Sequence, residues 1–202
     1  MFRRFYFITI IFLLFTACGS EVPQLSRLPA DAVILAFGDS LTKGNGAKDN
    51  ESYPAVLSQL TGLTVINAGI SGEVSENGLR RLPGALAQHN PQLLILCHGG
   101  NDFLRKKSMT DMEANIRSMI KLAQDKSIPV VLIGVPEPAL FLSSYEAYEE
   151  IAESMGVVFI DDLIPDILGD NDLKFDTVHP NAAGYKVMAE TIYATLKDSG
   201  AI

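Results

Sequence analysis

Cysteine occurs only twice in this 202-residue chain, at Cys18 and Cys97, too few for a disulfide framework. Positive charge is also scarce: 16 Lys and Arg stand against 24 Asp and Glu, a net charge of −8. Binding nucleic acid needs clustered cations to neutralise phosphates, so this balance argues against a nucleic-acid partner. Histidine appears three times, at His89, His98 and His179. No CxxC, HExxH, EF-hand or P-loop string is present, so neither a metal nor another cofactor is expected. What is plentiful is apolar: 48% hydrophobic against 20% charged residues excludes disorder over most of the length, and the length suits one domain.

The first segment reads as an address. Arg3 and Arg4 form a short basic region, followed by an apolar run from Phe5 to Phe15, interrupted only by Thr9. As a helix this run extends roughly 16–17 Å, short of the ~30 Å of a bilayer core, so an export signal over 1–17 fits better than a membrane span. Thr16-Ala17 before Cys18 resembles the lipobox of bacterial lipoproteins, with Phe15 where that group usually has Leu. The resemblance implies lipidation of Cys18 and an exported protein anchored to a membrane, facing the periplasm or the cell exterior. Ordinary secretion with Cys18 unmodified is the alternative. Residues 18–29 hold Pro23 and Pro29 without periodicity and read as a tether, and the folded domain is expected over 30–202.

Beyond Pro29 the chain alternates. Apolar runs of strand length lie at 32–37, 64–67, 93–97, 130–135 and 157–160, several apolar on successive residues, as strands buried on both faces require. Between them stand helical spacings: Ala55, Leu57 and Leu60 on one face, and Ile116, Met119, Ile120 and Ala123 on another capped by Thr110 or Asp111. Two more fall at 145–155 and 182–196, and a further pattern at 75–89 is expected to break near Leu82 because of Gly78 and Pro83. This alternation implies an α/β domain with a parallel sheet. Ligands in such sheets bind beyond the carboxyl ends of the strands. Glycine-rich polar strings stand at those ends: Gly38-Asp39-Ser40, 67–72, and Gly99-Gly100-Asn101-Asp102, with Pro136-Glu137-Pro138 after the fourth run.

Ser40 leaves the first strand, where its Oγ can be exposed. A base is then required. His89 looks solvent-facing, and His98 follows Cys97 at a strand end, where a satisfied structural histidine is the commoner outcome. Cys97 itself reads as a buried small hydrophobe. His179 sits in Asp176-Thr177-Val178-His179-Pro180, with Asp176 close enough to bond Nδ1. That is the base and orienter half of a Ser-His-Asp triad. Asp39, which reads as bracing the turn, and Asp102, which reads as capping the following segment, are the competing carboxylates. Three donors could stabilise an oxyanion: the Ser40 N–H, the Gly72 N–H and the Asn101 amide.

The strings FGDSLTKG, NAGISGE, HGGNDFLR and DTVHPNAAG resemble four blocks of the SGNH (GDSL) hydrolase family, from about Val33 to the last helix. The resemblance implies a flavodoxin-like three-layer α/β/α sandwich with a five-stranded parallel sheet. It also implies Ser40, Asp176 and His179 as catalytic residues, Ser40, Gly72 and Asn101 as the oxyanion hole, and no cofactor. GGNDFLR and SGEVSENGLRRLP look most like the bacterial thioesterase, lysophospholipase and arylesterase branch, whose partner is a small acyl ester. A carbohydrate or peptidoglycan O-acetylesterase is the rival within the family, and a non-catalytic lipoprotein on the same fold is the rival of another class. The apolar loop residues Leu104, Pro138, Ala139, Leu140, Phe141 and Leu142 favour longer or aromatic acyl groups. Ser40-Leu41-Thr42-Lys43 also spells the S-x-x-K of β-lactamases, but no K-T-G follows, and Gly44 and Gly46 argue against the helix those enzymes place there. Lys43 therefore reads as a surface residue. Oligomeric state is left open.

Overall fold

The computed structural model describes residues 23–137 and 143–202. The segment read as an export signal, Cys18 and the loop residues 138–142 lie outside the described residues. Five strands, β1 (Val33–Gly38), β2 (Thr64–Gly69), β3 (Leu93–Cys97), β4 (Val130–Ile133) and β5 (Val158–Ile160), form one sheet in the order β2-β1-β3-β4-β5. All four pairings are parallel, so every connection must cross over the sheet. The apolar runs of β1, β3 and β4 are buried on both faces, which is why their sequences do not alternate. Edge strand β2 is only partly buried. The fourth run stops at Ile133 and not at Val135, because its last ladder partner is Ile160, the end of the three-residue β5.

Helices cover both faces. On one, α2 (Tyr53–Thr61) packs against α8 (Ala182–Asp198), with α7 (Leu163–Gly169) beside α8. On the other, α3 (Ser75–His89) and α6 (Ala147–Met155) flank α5 (Met109–Gln124). The result is a three-layer α/β/α sandwich of flavodoxin-like strand order. One continuous apolar core runs through it. Truncating a central member such as Leu94 to Ala is expected to cost about 2–5 kcal/mol.

Three local expectations are corrected, and one helix had no counterpart in the sequence reading. Helix α3 runs unbroken through Pro83: the proline is on the exposed side, where the freed carbonyl can be hydrated, while Leu82 and Leu86 are buried. Helix α5 is capped by the Ser108 hydroxyl, which accepts from the Asp111 N–H at 3.2 Å, so it starts before Thr110. On α2, Leu60 stays exposed, and the buried side is Tyr53, Pro54 and Leu57. Helix α7 was not foreseen; its apolar residues and Pro165 give no clean helical spacing.

Residues 23–29, read from sequence as the end of a tether, are docked. The Leu25 N–H donates to the Ser199 carbonyl (2.8 Å) and the Leu28 N–H to the Ala201 carbonyl (2.7 Å). Both leucines pack on the core. This strap crosses the amino-end side of the sheet, against the segments that lead into β3 and β4. Among the described residues no helix is long and apolar enough to cross a membrane.

Candidate active site

The strand order reverses between β1 and β3, and the chain leaves both strands at the same rim. After β1, Asp39 caps a single helical turn, α1 (Ser40–Lys43), by accepting from the Leu41 N–H at 3.1 Å. This corrects the expectation that no helix follows Ser40: Gly44, at φ 96°, ends the helix after one turn and does not prevent it. Ser40, as first residue of that turn, keeps an amide N–H without an intrahelical acceptor. Lys43 is exposed and pairs with Asp49 at 3.3 Å.

The loop before α8 brings His179 to Ser40. Its Nδ1 lies 2.9 Å from Asp176 Oδ2, and its Nε2 lies 3.0 Å from Ser40 Oγ. A carboxylate only accepts, so Nδ1 carries the proton and Nε2 is left to accept from the Ser40 hydroxyl. Asp176 also accepts from the Val178 and His179 N–H groups at 2.8 and 2.9 Å. Partial burial raises the Asp176 carboxyl, but the His179 ring and these amides outweigh it and hold the group below the usual carboxylate range.

After β2, residues Ile70 to Glu73 turn back, closed by the Glu73 N–H on the Ile70 carbonyl at 3.2 Å. Gly72 occupies the third position at φ 76°, a left-handed conformation that favours glycine, and its own N–H takes no part in the closing bond. After β3, the short helix α4 (Gly100–Leu104) carries Asn101, whose Nδ2 donates to Asp39 Oδ2 at 3.1 Å. One amide hydrogen remains for another acceptor. Burial pushes the Asp39 carboxyl up, opposed by the nearby His98 and by its hydrogen bonds.

Ser40, Gly72, Asn101 and His179 all line one cavity of about 200 Å³. Its other walls are largely apolar, from Leu41, Leu104, Val135 and Pro136 to Ile164 and Leu168 of α7. The residues 138–142 that the sequence placed beside this rim lie outside the described residues.

Of the competing groups, Asp39 lies at the cavity, where it braces the turn and holds Asn101, and the others are elsewhere. His98 is fully buried: its Nδ1 accepts from the Gly99 N–H (3.0 Å), so its Nε2 faces Glu73 Oε2 (3.3 Å) as donor. His89 ends α3, at the amino-end side of the sheet. Asp102 does not cap its own segment; its carboxylate accepts from the Ser75 N–H and hydroxyl, both at 2.8 Å, and so holds the start of α3. Cys97 is fully buried, and burial pushes its thiol well up. Among the described residues no three His, Cys, Asp or Glu converge as a metal site.

Two charged groups that sequence reasoning missed brace this rim. Glu73 is buried and receives two bonds from Arg81, at 3.1 and 2.6 Å, besides His98. Burial alone would raise its carboxyl, but these partners bring it down to about 2. Arg81 also lies 4.0 Å over the Phe37 ring and donates to the Ala68 carbonyl. The only signal in the sequence was an acid and a base eight residues apart across a turn and a helix start, a common surface pattern. The second group, Arg105, donates to the Gly72 carbonyl at 2.7 Å.

Comparison with known proteins identifies the family of the chain. Residues 36–187 match the model of the GDSL-like lipase/acylhydrolase family. The chain is similar to esterase TesA of Pseudomonas aeruginosa, 29% identical over 92% of this chain and 97% of that protein. It is also similar to thioesterase 1/protease 1/lysophospholipase L1 of Escherichia coli, 30% identical over 81% of this chain and 83% of that one. Among solved structures, the psychrotrophic esterase EstA of Pseudoalteromonas superposes with a TM-score of 0.73 at 26% identity, covering 83% of this chain and 97% of its own. AlinE4, an SGNH-hydrolase family esterase, superposes with a TM-score of 0.62 at 29% identity, covering 86% and 98%.

Proposed function

Since the chain belongs to the GDSL-like lipase/acylhydrolase family and is a carboxylic ester hydrolase, we propose that Ser40, His179 and Asp176 form its catalytic triad. The observation that carries the reading is the relay from Asp176 through His179 to the Ser40 hydroxyl, at 2.9 and 3.0 Å. Ser40 Oγ attacks the ester carbonyl carbon as its proton passes to His179 Nε2. The carbonyl oxygen becomes an oxyanion held by the N–H groups of Ser40 and Gly72 and the free amide hydrogen of Asn101. His179 then gives its proton to the departing alcohol or thiol, leaving an acyl-Ser40 ester. Water, deprotonated by the same Nε2, attacks that ester, and collapse of the second intermediate returns the Ser40 proton and frees the acid.

The substrate we propose is a carboxylic ester or thioester with an aromatic or a short to medium acyl group, shorter than the longer acyl groups that the apolar loop residues suggested from sequence. The apolar walls and modest volume of the cavity support it. They also weigh against the acetylated-sugar reading, which needs a polar cleft.

The test is a panel of p-nitrophenyl and naphthyl esters of rising chain length, beside an acyl-CoA and an acetylated sugar. Short and aromatic esters are expected to turn over fastest, and Ser40→Ala to lower kcat by several orders of magnitude with an unchanged melting temperature. A Ser40→Ala enzyme retaining a third of the activity would overturn the triad.

We also propose export and anchoring through Cys18. The docked strap begins five residues after it in sequence and crosses the amino-end side of the sheet, so the anchor would join the domain opposite the cavity. Cys18→Ser is expected to abolish incorporation of labelled palmitate; label retained on that variant would exclude the site.

A further inference from the structure

The geometry points to Arg105 as a positioning residue that couples the two oxyanion donors carried on separate loops; this rests on the site reading above. Gly72 sits on the turn after β2 and Asn101 on the helix after β3. Asp102 ties that helix to Ser75 at the start of α3, but the bond from it to the Gly72 peptide itself comes from Arg105. Arg105 touches both. Its backbone N–H donates to the Asn101 carbonyl at 3.0 Å and closes α4, while its Nη2 donates to the Gly72 carbonyl at 2.7 Å.

Among the described residues Arg105 forms no ion pair; a backbone carbonyl is its partner. A charged donor to a neutral acceptor makes a stronger bond than two neutral groups do. It fixes the 72–73 peptide, and with it the glycine whose N–H faces the oxyanion position. The approach is close enough that a Cβ at residue 72 would lie 3.2 Å from Nη2.

The rest of the turn is held too: the Ser71 hydroxyl bonds Asn45 Oδ1 at 2.7 Å, and Glu73 is locked from below by Arg81 and His98. Arg105 is the member of this set that spans from the Asn101 helix to the Gly72 peptide over the outer face. It does not line the cavity, so it acts through the donors and not on substrate. A displacement of about 1 Å in such a group is enough to cost on the order of 10²-fold in rate.

Steady-state kinetics on uncharged p-nitrophenyl acetate test this, with Arg105→Ala and Arg105→Lys measured beside Ser40→Ala. Arg105→Ala is expected to lower kcat about tenfold with KM within twofold and the melting temperature unchanged, because the lost interaction belongs to the transition state. Arg105→Lys, which keeps a cationic donor, is expected to recover most of the loss. An Arg105→Ala kcat within twofold of wild type, a rise in KM with kcat intact, or a lysine variant no better than alanine would overturn the assignment. An active Ser40→Ala enzyme would instead overturn the site reading on which it rests.

Discussion

The two ends of the sheet are finished by opposite means. At the carboxyl end the strands run out into glycine-containing turns, and Asp39, Glu73, His98 and Asp102 are buried there. Each is bonded to a residue from another loop or helix; Asp39 also caps its own helix, and His98 also accepts from the adjacent Gly99 N–H. At the amino end the closure is the strap of residues 23–29, held by main-chain bonds to the C-terminal segment and by two leucines. The first end is polar, charged and convergent, and the second is backbone and apolar contact. Stability can be supplied by either. Chemistry needs the first, because only there do unpaired donors and a base meet an open cavity.

Perturbing each end should separate these roles. The largest effect is expected at Asn101. If its amide donates to the oxyanion, Asn101→Ala should lower kcat by about 10²–10³ with little change in KM or melting temperature. Asn101→Asp should be at least as damaging, since it sets a negative charge against the developing one. Kinetics on one activated ester decide it, and a pure KM effect would place Asn101 in substrate holding.

Next comes Glu73, where the polar end also carries stability. Glu73→Gln leaves Arg81 and His98 without their carboxylate and should destabilise by about 2–3 kcal/mol at neutral pH. The sign of the pH effect follows from its lowered value. A carboxyl held at about 2 contributes stability that is complete above its ordinary 4.5 and lost as pH falls towards 2. Denaturation of wild type and variant should therefore differ most above pH 5 and converge between pH 4.5 and 2. Curves that stay parallel across that range would remove Glu73 from the ledger.

The smallest effect is expected at the amino end. Leu28→Ala removes a half-buried contact and should lower stability by about 1 kcal/mol, with kcat and KM unchanged. A loss of activity at constant stability would show that the two ends are coupled.

The difference between the ends also explains what could be read in advance. Uninterrupted apolar runs such as Leu93-Leu94-Ile95-Leu96-Cys97 announce strands buried on both faces, and alternation with helical spacings announces a parallel sheet. Asp176 and His179 are neighbours in one tight loop, so their bond was legible from spacing alone. Helix α7 was not, because Leu163 to Leu168 are apolar on nearly every side and are ordered by what they pack against.

By itself, then, the chain's sequence determined the strands, the longer helices and the short-range partnerships, since these depend on residues within a few positions of each other. Which distant groups meet is decided by the tertiary structure; the family resemblance had joined Ser40 with His179, but local sequence could not, and nothing had joined Gly72 with Arg105 or Asp39 with Asn101. Ser40 and His179 lie 139 residues apart, Gly72 and Arg105 33, and Asp39 and Asn101 62. Glu73 likewise found its partners through the fold. The physical reason is that a charged side chain is compatible with solvent in any local conformation. Whether it is instead buried and bonded depends on which loops the crossovers of the sheet bring to the same rim.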